Sequence, residues 1–381
     1  MKADAVIVGA GIAGSALAYY LSSEGLRVIL LDKDYPGLGA SGRSAGLMTV
    51  QHWNRLDITL SKASQEICQQ LAPDGRDVLR RVGFLRATSE EEDIVLMEER
   101  VRNYRKEDLQ ADLLEGEALS ARFPAIDAAD LLAGIFTPQD GYVDAYDVTS
   151  AFVSKARERG AVLTMRTRAE GVSVASSRVV GVESAGNTIT SEAVIIAAGA
   201  WSSGLLRGTG VDIPLKPYRT QALVTAPVKD PPDLPMFHEL PPGLYFRPDQ
   251  DGLLLGDGTE HEEADPRSYD THADFELYSE IAAWISRRVP ALKDASIARG
   301  WSGLCVATPD RLPVVGEVEE VEGLFVLGGF NGLGIMRAPP LARSLAEALL
   351  GHKPSLDLAP FYPGRFEGKA DFPIREGFTL Q

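Results

Sequence analysis

The first 32 residues admit few folds. Asp4-Ala5-Val6-Ile7-Val8 leads straight into Gly9-Ala10-Gly11-Ile12-Ala13-Gly14, and Val28-Ile29-Leu30-Leu31 then delivers Asp32. Strand, tight glycine turn, helix, strand and acidic residue, in that order, form a frame that cradles a dinucleotide. Gly9 permits the turn, Gly11 lets a pyrophosphate approach the backbone, and Gly14 lets helix and strand pack closely. A helix expected from Ser15 to Ser23 points its amino end at the phosphates, where free N–H groups and the helix dipole favour anions. Asp32, 18 residues beyond Gly14, is placed to accept from a ribose hydroxyl. Its charge would repel a ribose phosphate, which argues against NADP. The plain alternative is a glycine-rich strand–turn–helix with no nucleotide; the acidic residue closing the second strand weighs against it.

A chain of 381 residues can bury a large core and is expected to form two domains. Hydrophobic residues at 45% and mixed charges mark a folded protein. A net charge of -16 disfavours nucleic acid and anionic membrane surfaces as partners. No later stretch approaches the roughly 18 uninterrupted apolar residues of a membrane helix. Neither a transmembrane segment nor a secretory signal is therefore expected, and the expected location is the cytoplasm. Cys68 and Cys305 form no disulfide framework, and the five histidines are scattered, so no metal site is expected.

Further along, a loop of small residues, Gly37 to Gly46, follows the second strand and is expected to lie over the dinucleotide. Apolar spacing predicts a helix from Asp57 to Leu71, and residues 90–120 are charged and helical in pattern. Another helix is expected over Val148 to Arg159, ended by Gly160. Strands are expected around 162–167, 171–175, 179–183, 193–198, 221–225, 243–247, 252–256 and 324–327. Ala273 to Val289 and Leu341 to Leu350 read as the last two helices.

Taken together, these pieces resemble the D-amino-acid oxidase-like superfamily of FAD oxidoreductases, which includes glycine and sarcosine oxidases, D-amino-acid dehydrogenase and dye-linked proline dehydrogenase subunits. Four matches carry the resemblance: Gly9-x-Gly11-x-x-Gly14 with Asp32; Ser41-x-Arg43-Ser44-x-Gly46; Ala197-Ala198-Gly199-Ala200-Trp201; and Thr308-Pro309-Asp310 with Gly329-Phe330-Asn331-Gly332-x-Gly334. The resemblance implies an α/β protein, α+β overall, with a Rossmann-like FAD-binding domain and an interleaved substrate domain on a mixed β-sheet. The expected division is 1–82, 142–213 and 297–381 for FAD, with 83–141 and 214–296 for substrate. FAD is expected against Gly9, Gly11, Ile12, Ala13, Gly14, Asp32, Lys33, Ser41, Arg43, Ser44, Ala45, Gly46 and Leu47. Its other expected neighbours are Ala169, Ala198, Gly199, Trp201 and the run Asn331, Gly332, Leu333, Gly334, Ile335 and Met336.

The resemblance also implies a substrate with a carboxylate and a carbon bearing an amine or hydroxyl, held by an Arg or Lys. The positions that supply this cation in glycine and sarcosine oxidases are here Cys305 and Met336. Arg247, which shares a strand face with Tyr245, and Arg337 are the remaining candidates. Tyr245 matches a pocket tyrosine of glycine oxidase-like enzymes, and His52 is a secondary candidate. The position of the covalent flavin link in sarcosine oxidases is Gly303, which argues against covalent FAD. The expected reaction is oxidation of a C–N bond in a small amine or amino acid, with a secondary amine such as proline or sarcosine favoured. An acceptor is also required: oxygen, a quinone or a carrier protein. Leu254 occupies the place of the lysine near the flavin of sarcosine oxidases, which points to a dehydrogenase. Three alternatives stay open: a 2-hydroxy-acid or glycerol-phosphate dehydrogenase, an FAD-carrying subunit of a multisubunit amine dehydrogenase, and a non-redox nucleotide-binding protein; assembly as a homo- or hetero-oligomer is left open as well.

Overall fold

The computed structural model describes residues 2–71, 78–258, 261–263, 265–366 and 372–374. A six-stranded sheet runs in the order Val314–Glu317, Leu324–Gly328, Val194–Ile196, Ala5–Val8, Val28–Leu31, Val162–Thr164. All its pairs are parallel except the first. Its central strands are buried on both faces, so they read as unbroken apolar runs. Alternation then divides them. Ile7, Leu30 and Ile195 face a layer of helices, Ile12–Ser23, Arg55–Leu71, Ala145–Glu158 and Gly334–Leu349. Val6, Ile29 and Val194 face a small antiparallel sheet, Gly171–Ala175, Arg178–Ser184 and Asn187–Thr190.

A nine-stranded mixed sheet forms the rest of the core. Its order is His261–Glu262, Lys216–Thr225, Gly252–Gly256, Tyr245–Asp249, Met236–Leu240, Phe84–Thr88, Ala133–Thr137, Asp112–Glu115, with Ile297–Ala307 also paired to Lys216–Thr225. Met236–Leu240 and Phe84–Thr88 run parallel. Leu85, Phe237, Phe246 and Leu255 point to one face and pack on the helix Phe275–Arg288 through Ile281 and Trp284. The other face looks towards the amino-terminal glycine turn. Arg219 and Gln221 position that helix: Arg219 pairs with Asp274 at 2.6 Å, and the Gln221 Oε1 accepts from the Asp274 N–H at 2.6 Å.

Several expectations need correction. The first helix starts at Ile12 rather than Ser15, with Gly11 as its cap. Residues 90–120 are not one helical region: the helix Glu91–Lys106 gives way to the strand Asp112–Glu115 and the short helix Glu117–Arg122. That strand exists because Ala133–Thr137 offers it an edge, a long-range cause that periodicity cannot report. The last helix begins at Gly334, not Leu341, and holds Pro339 and Pro340 in its interior. Pro340 leaves the Met336 carbonyl without its helical donor, and the Ser64 hydroxyl donates to it at 2.9 Å. Phe84–Thr88, Met236–Leu240 and Asn187–Thr190 are strands that the sequence pattern did not mark. Ile297–Ala307 pairs in the larger sheet, although its residues were grouped with the FAD part.

Candidate active site

A cavity of about 1140 Å³ runs between the two large sheets. Its first end is the amino-terminal turn. Gly9 sits at φ +109, and a Cβ there would lie 2.4 Å from the Ala197 carbonyl oxygen, so only glycine lets the two strand ends approach. A Cβ on Gly14 would lie 2.0 Å from the Gly9 oxygen, which is why the helix can pack on its own turn. Gly9, Gly11, Ile12 and Ala13 line the cavity, while Gly14 stays behind it. Asp32 also lines it and accepts from the Ala10 N–H at 2.7 Å and the Asp34 N–H at 2.8 Å. Burial raises its carboxyl pKa, opposed by those two donors. Ser41 Oγ accepts from the Ile12 N–H at 2.9 Å, tying the small-residue loop to the helix start. Lys33 Nζ stands 4.1 Å from the Trp201 ring centre, and Ala169, Ala198 and Gly199 complete this end.

The middle is formed by Arg43 to Leu47 and by Asn331 to Met336, all of which line the cavity. Asn331 adopts φ 53; its Oδ1 accepts from the Thr308 N–H at 3.0 Å and its Nδ2 donates to the Gly329 carbonyl at 2.6 Å. The helix Gly334–Leu349 therefore opens directly on the cavity, with its positive dipole end facing inwards. Met336 Sδ accepts from the Thr49 N–H at 3.4 Å, so it supplies packing and no charge.

The far end is a row across the nine-stranded sheet. Arg86 is the register partner of His238, and His238 of Tyr245; all three line the cavity. Tyr245 faces Gly256, where a Cβ would lie 2.3 Å from its hydroxyl. Burial raises the Tyr245 phenol well above its ordinary value and pushes the His238 imidazole down to about 3, so both are neutral at working pH. Cys305 lines the same end, in register with Tyr218. His52 lines it too, bonded through Nε2 to Ser61 Oγ at 2.8 Å; burial pushes it down to about 4 against the pull of Asp57.

The two expected clamps are engaged elsewhere. Arg247 shares the Tyr245 face but does not line the cavity. Its guanidinium donates to the Ala45 carbonyl at 2.5 Å, the Pro248 carbonyl at 2.7 Å and Asp249 at 2.7 Å. Arg337 reaches the cavity wall, yet it pairs with Asp57 at 2.7 Å through two nitrogens and donates to the Arg311 and Phe330 carbonyls. Arg86 and His238 were missed by sequence reading. Arginine within the apolar run Phe84-Leu85-Arg86-Ala87 was the available signal.

Residues 4–348 match the family model described as DAO, FAD dependent oxidoreductase. The chain belongs to this family. Glycine oxidase of Geobacillus kaustophilus is 30% identical over 382 residues, covering 96% of this chain and 98% of its own length. Mitochondrial dimethylglycine dehydrogenase of Mus musculus is 27% identical over 388 residues, covering 96% of this chain. The chain spans 44% of that relative's length. The crystal structure of L-proline dehydrogenase from P. horikoshii matches with a TM-score of 0.89 and 27% identity, covering 96% of this chain and 98% of that one.

The family's cofactor is FAD, and the cavity fits it. The glycine positions where a Cβ would collide leave bare backbone at the phosphate end, and Asp32 lies where a ribose hydroxyl can donate. The loop from Ser41 to Leu47 and the turn from Asn331 to Met336 would hold the flavin ring between the two sheets. Among the described residues, no helix is long and apolar enough to cross a membrane, and no group of His, Cys, Asp and Glu could hold a metal ion.

Proposed function

We propose that this FAD-dependent oxidoreductase oxidises the carbon–nitrogen bond of a small amine or amino acid, with a secondary amine such as proline or sarcosine favoured. The observation that carries this reading is the continuity of one cavity from the dinucleotide turn to the row Arg86, His238 and Tyr245. The relatives, a glycine oxidase and dehydrogenases of dimethylglycine and L-proline, support it. Bound FAD supplies the hydride acceptor, and the imine released from the substrate hydrolyses in water. The chain's own residues orient the substrate. Tyr245 and His238, both neutral, offer hydrogen bonds without a competing charge, which favours the uncharged amine that can lose hydride. The apolar residues Phe84, Ala222 and Leu47 on the same walls keep water out.

Transfer to an acceptor other than oxygen is the reading we favour; its support is the resemblance, by which Leu254, a buried alkyl group, stands in place of the lysine of sarcosine oxidases. The division into an FAD part (1–82, 142–213, 297–381) and a substrate part (83–141, 214–296) is supported by strand membership in the two sheets, Ile297–Ala307 excepted. An anaerobic absorbance titration against proline, sarcosine, glycine, D-alanine and a set of 2-hydroxy acids tests the reaction. Loss of the oxidised-flavin band with one amine is expected. Bleaching by hydroxy acids alone would sink the amine reading.

A further inference from the structure

We propose that Arg86 receives the carboxylate of the substrate, so that this site takes amino acids with a free carboxylate rather than simple amines. The inference rests on the amine-oxidation reading for the identity of the reacting group, but its evidence is separate. Arg86, Arg247, Arg288 and Arg337 are the buried arginines among the described residues. Three of them have a carboxylate at 2.7 Å: Arg247 has Asp249, Arg288 has Glu239 and Arg337 has Asp57. Arg86 has none within ion-pair distance. Its hydrogen bonding is one contact from Nη1 to the Gln51 carbonyl at 3.2 Å, and its Nε is buried without a partner. A buried cation is costly unless it is paired, and a pocket that keeps one uncompensated beside a cavity is built for an anion.

The surroundings agree. The guanidinium carbon lies 5.0 Å from the Trp53 ring centre and 5.3 Å from that of Phe84, and both residues line the cavity. These rings hold the fork in place without neutralising it. Asp140, the carboxyl whose field reaches Arg86, is itself occupied: it accepts from the Thr49 hydroxyl at 2.7 Å, the Val50 N–H at 2.9 Å and the Thr137 hydroxyl at 2.5 Å. Gln51, whose backbone carbonyl meets Arg86, is locked through Nε2 to the Phe84 and Ile135 carbonyls and to Thr137. The cation is thus fixed beside neutral His238 and Tyr245, and a carboxylate on Arg86 lays the rest of a small molecule along that row.

The test uses the FAD-loaded enzyme and reads perturbation of the flavin band by pyrrole-2-carboxylate, a ring carboxylate that cannot lose hydride. In Arg86→Gln its dissociation constant should rise about 100-fold, with Arg86→Lys in between, as expected for loss of a charge-assisted fork. Flavin content should be unchanged in both. Equal affinity in wild type and Arg86→Gln, or no response of the wild type to any carboxylate, overturns the proposal. Should the variants fail to hold FAD, the wild type decides alone: pyrrolidine binding as tightly as proline overturns it, and a preference for proline of about 100-fold supports it. The amine reading fails by a different result, when no amino acid bleaches the flavin, whatever Arg86 does to carboxylate binding.

Discussion

Asp32 holds the amino-terminal turn by accepting from the Ala10 and Asp34 N–H groups, and it faces the cavity with the same carboxylate. Asp32→Ala should therefore loosen the turn and lose the ribose acceptor together. We expect FAD affinity to fall at least about 10-fold, read from flavin fluorescence on dilution. Buried titratable groups also give the protein a pH signature. His52 and His238 fall from 6.5 to about 4 and about 3 in the folded state. Their contribution to stability is complete above 6.5 and is lost as pH falls towards those values, because unfolding then takes up protons. Asp140 has the opposite sign: burial raises it from 3.8 to about 6, so its contribution is complete below 3.8 and is lost as pH rises through 6. Between pH 6 and 4 the terms oppose each other. Asp140→Asn removes the opposing one, and its melting temperature should fall more steeply over that range than the wild type's.

At the scale of elements, the helix Gly334–Leu349 shows how a local rule is broken and repaired. Two prolines in its interior would mark a stop in any sequence reading, yet the Ser64 hydroxyl takes over the Met336 carbonyl and Arg337 anchors the first turn to Asp57. Ser64→Ala leaves that buried carbonyl without a donor and should cost about 1–3 kcal/mol in chemical denaturation. Arg337→Met leaves Asp57 buried and unpaired and should cost about 3–5 kcal/mol in the same measurement. The strands Phe84–Thr88 and Met236–Leu240 make the complementary point. Neither alternates cleanly, because Arg86 and His238 occupy cavity-facing positions that would ordinarily be apolar or solvated. The functional residues themselves obscured the pattern that identifies a strand.

Across the whole molecule, the cavity exists because two sheets are fastened at its rim. Arg43 donates to the Ser302 carbonyl at 2.9 Å, Trp301 Nε1 donates to the Arg43 carbonyl at 3.0 Å, and Arg247 donates to the Ala45 carbonyl at 2.5 Å. These bonds join the small-residue loop to strands of the nine-stranded sheet. Arg247→Ala should release FAD about 10-fold faster although Arg247 does not touch the cavity, and stopped-flow flavin fluorescence would show it.

The sequence by itself determined the nucleotide end: the Gly9, Gly11 and Gly14 turn and Asp32 work through backbone geometry and close packing within one strand–helix–strand unit, so spacing along the chain reports them. Ser41, Arg43 to Leu47 and Asn331 to Met336, which line the cavity wall, were legible too, because their small side chains and turns are themselves the signal. At the far end the resemblance pointed to Tyr245, Cys305 and His52, which line the cavity, but the charged member of the row came from tertiary structure. Arg86 meets His238 only because two strands distant in the chain pair in parallel. Whether an arginine is a clamp or a brace depends on which carboxylates reach it: Arg247 and Arg337 have theirs and Arg86 has none. Counter-ions are assigned by folding, and no spacing rule carries them.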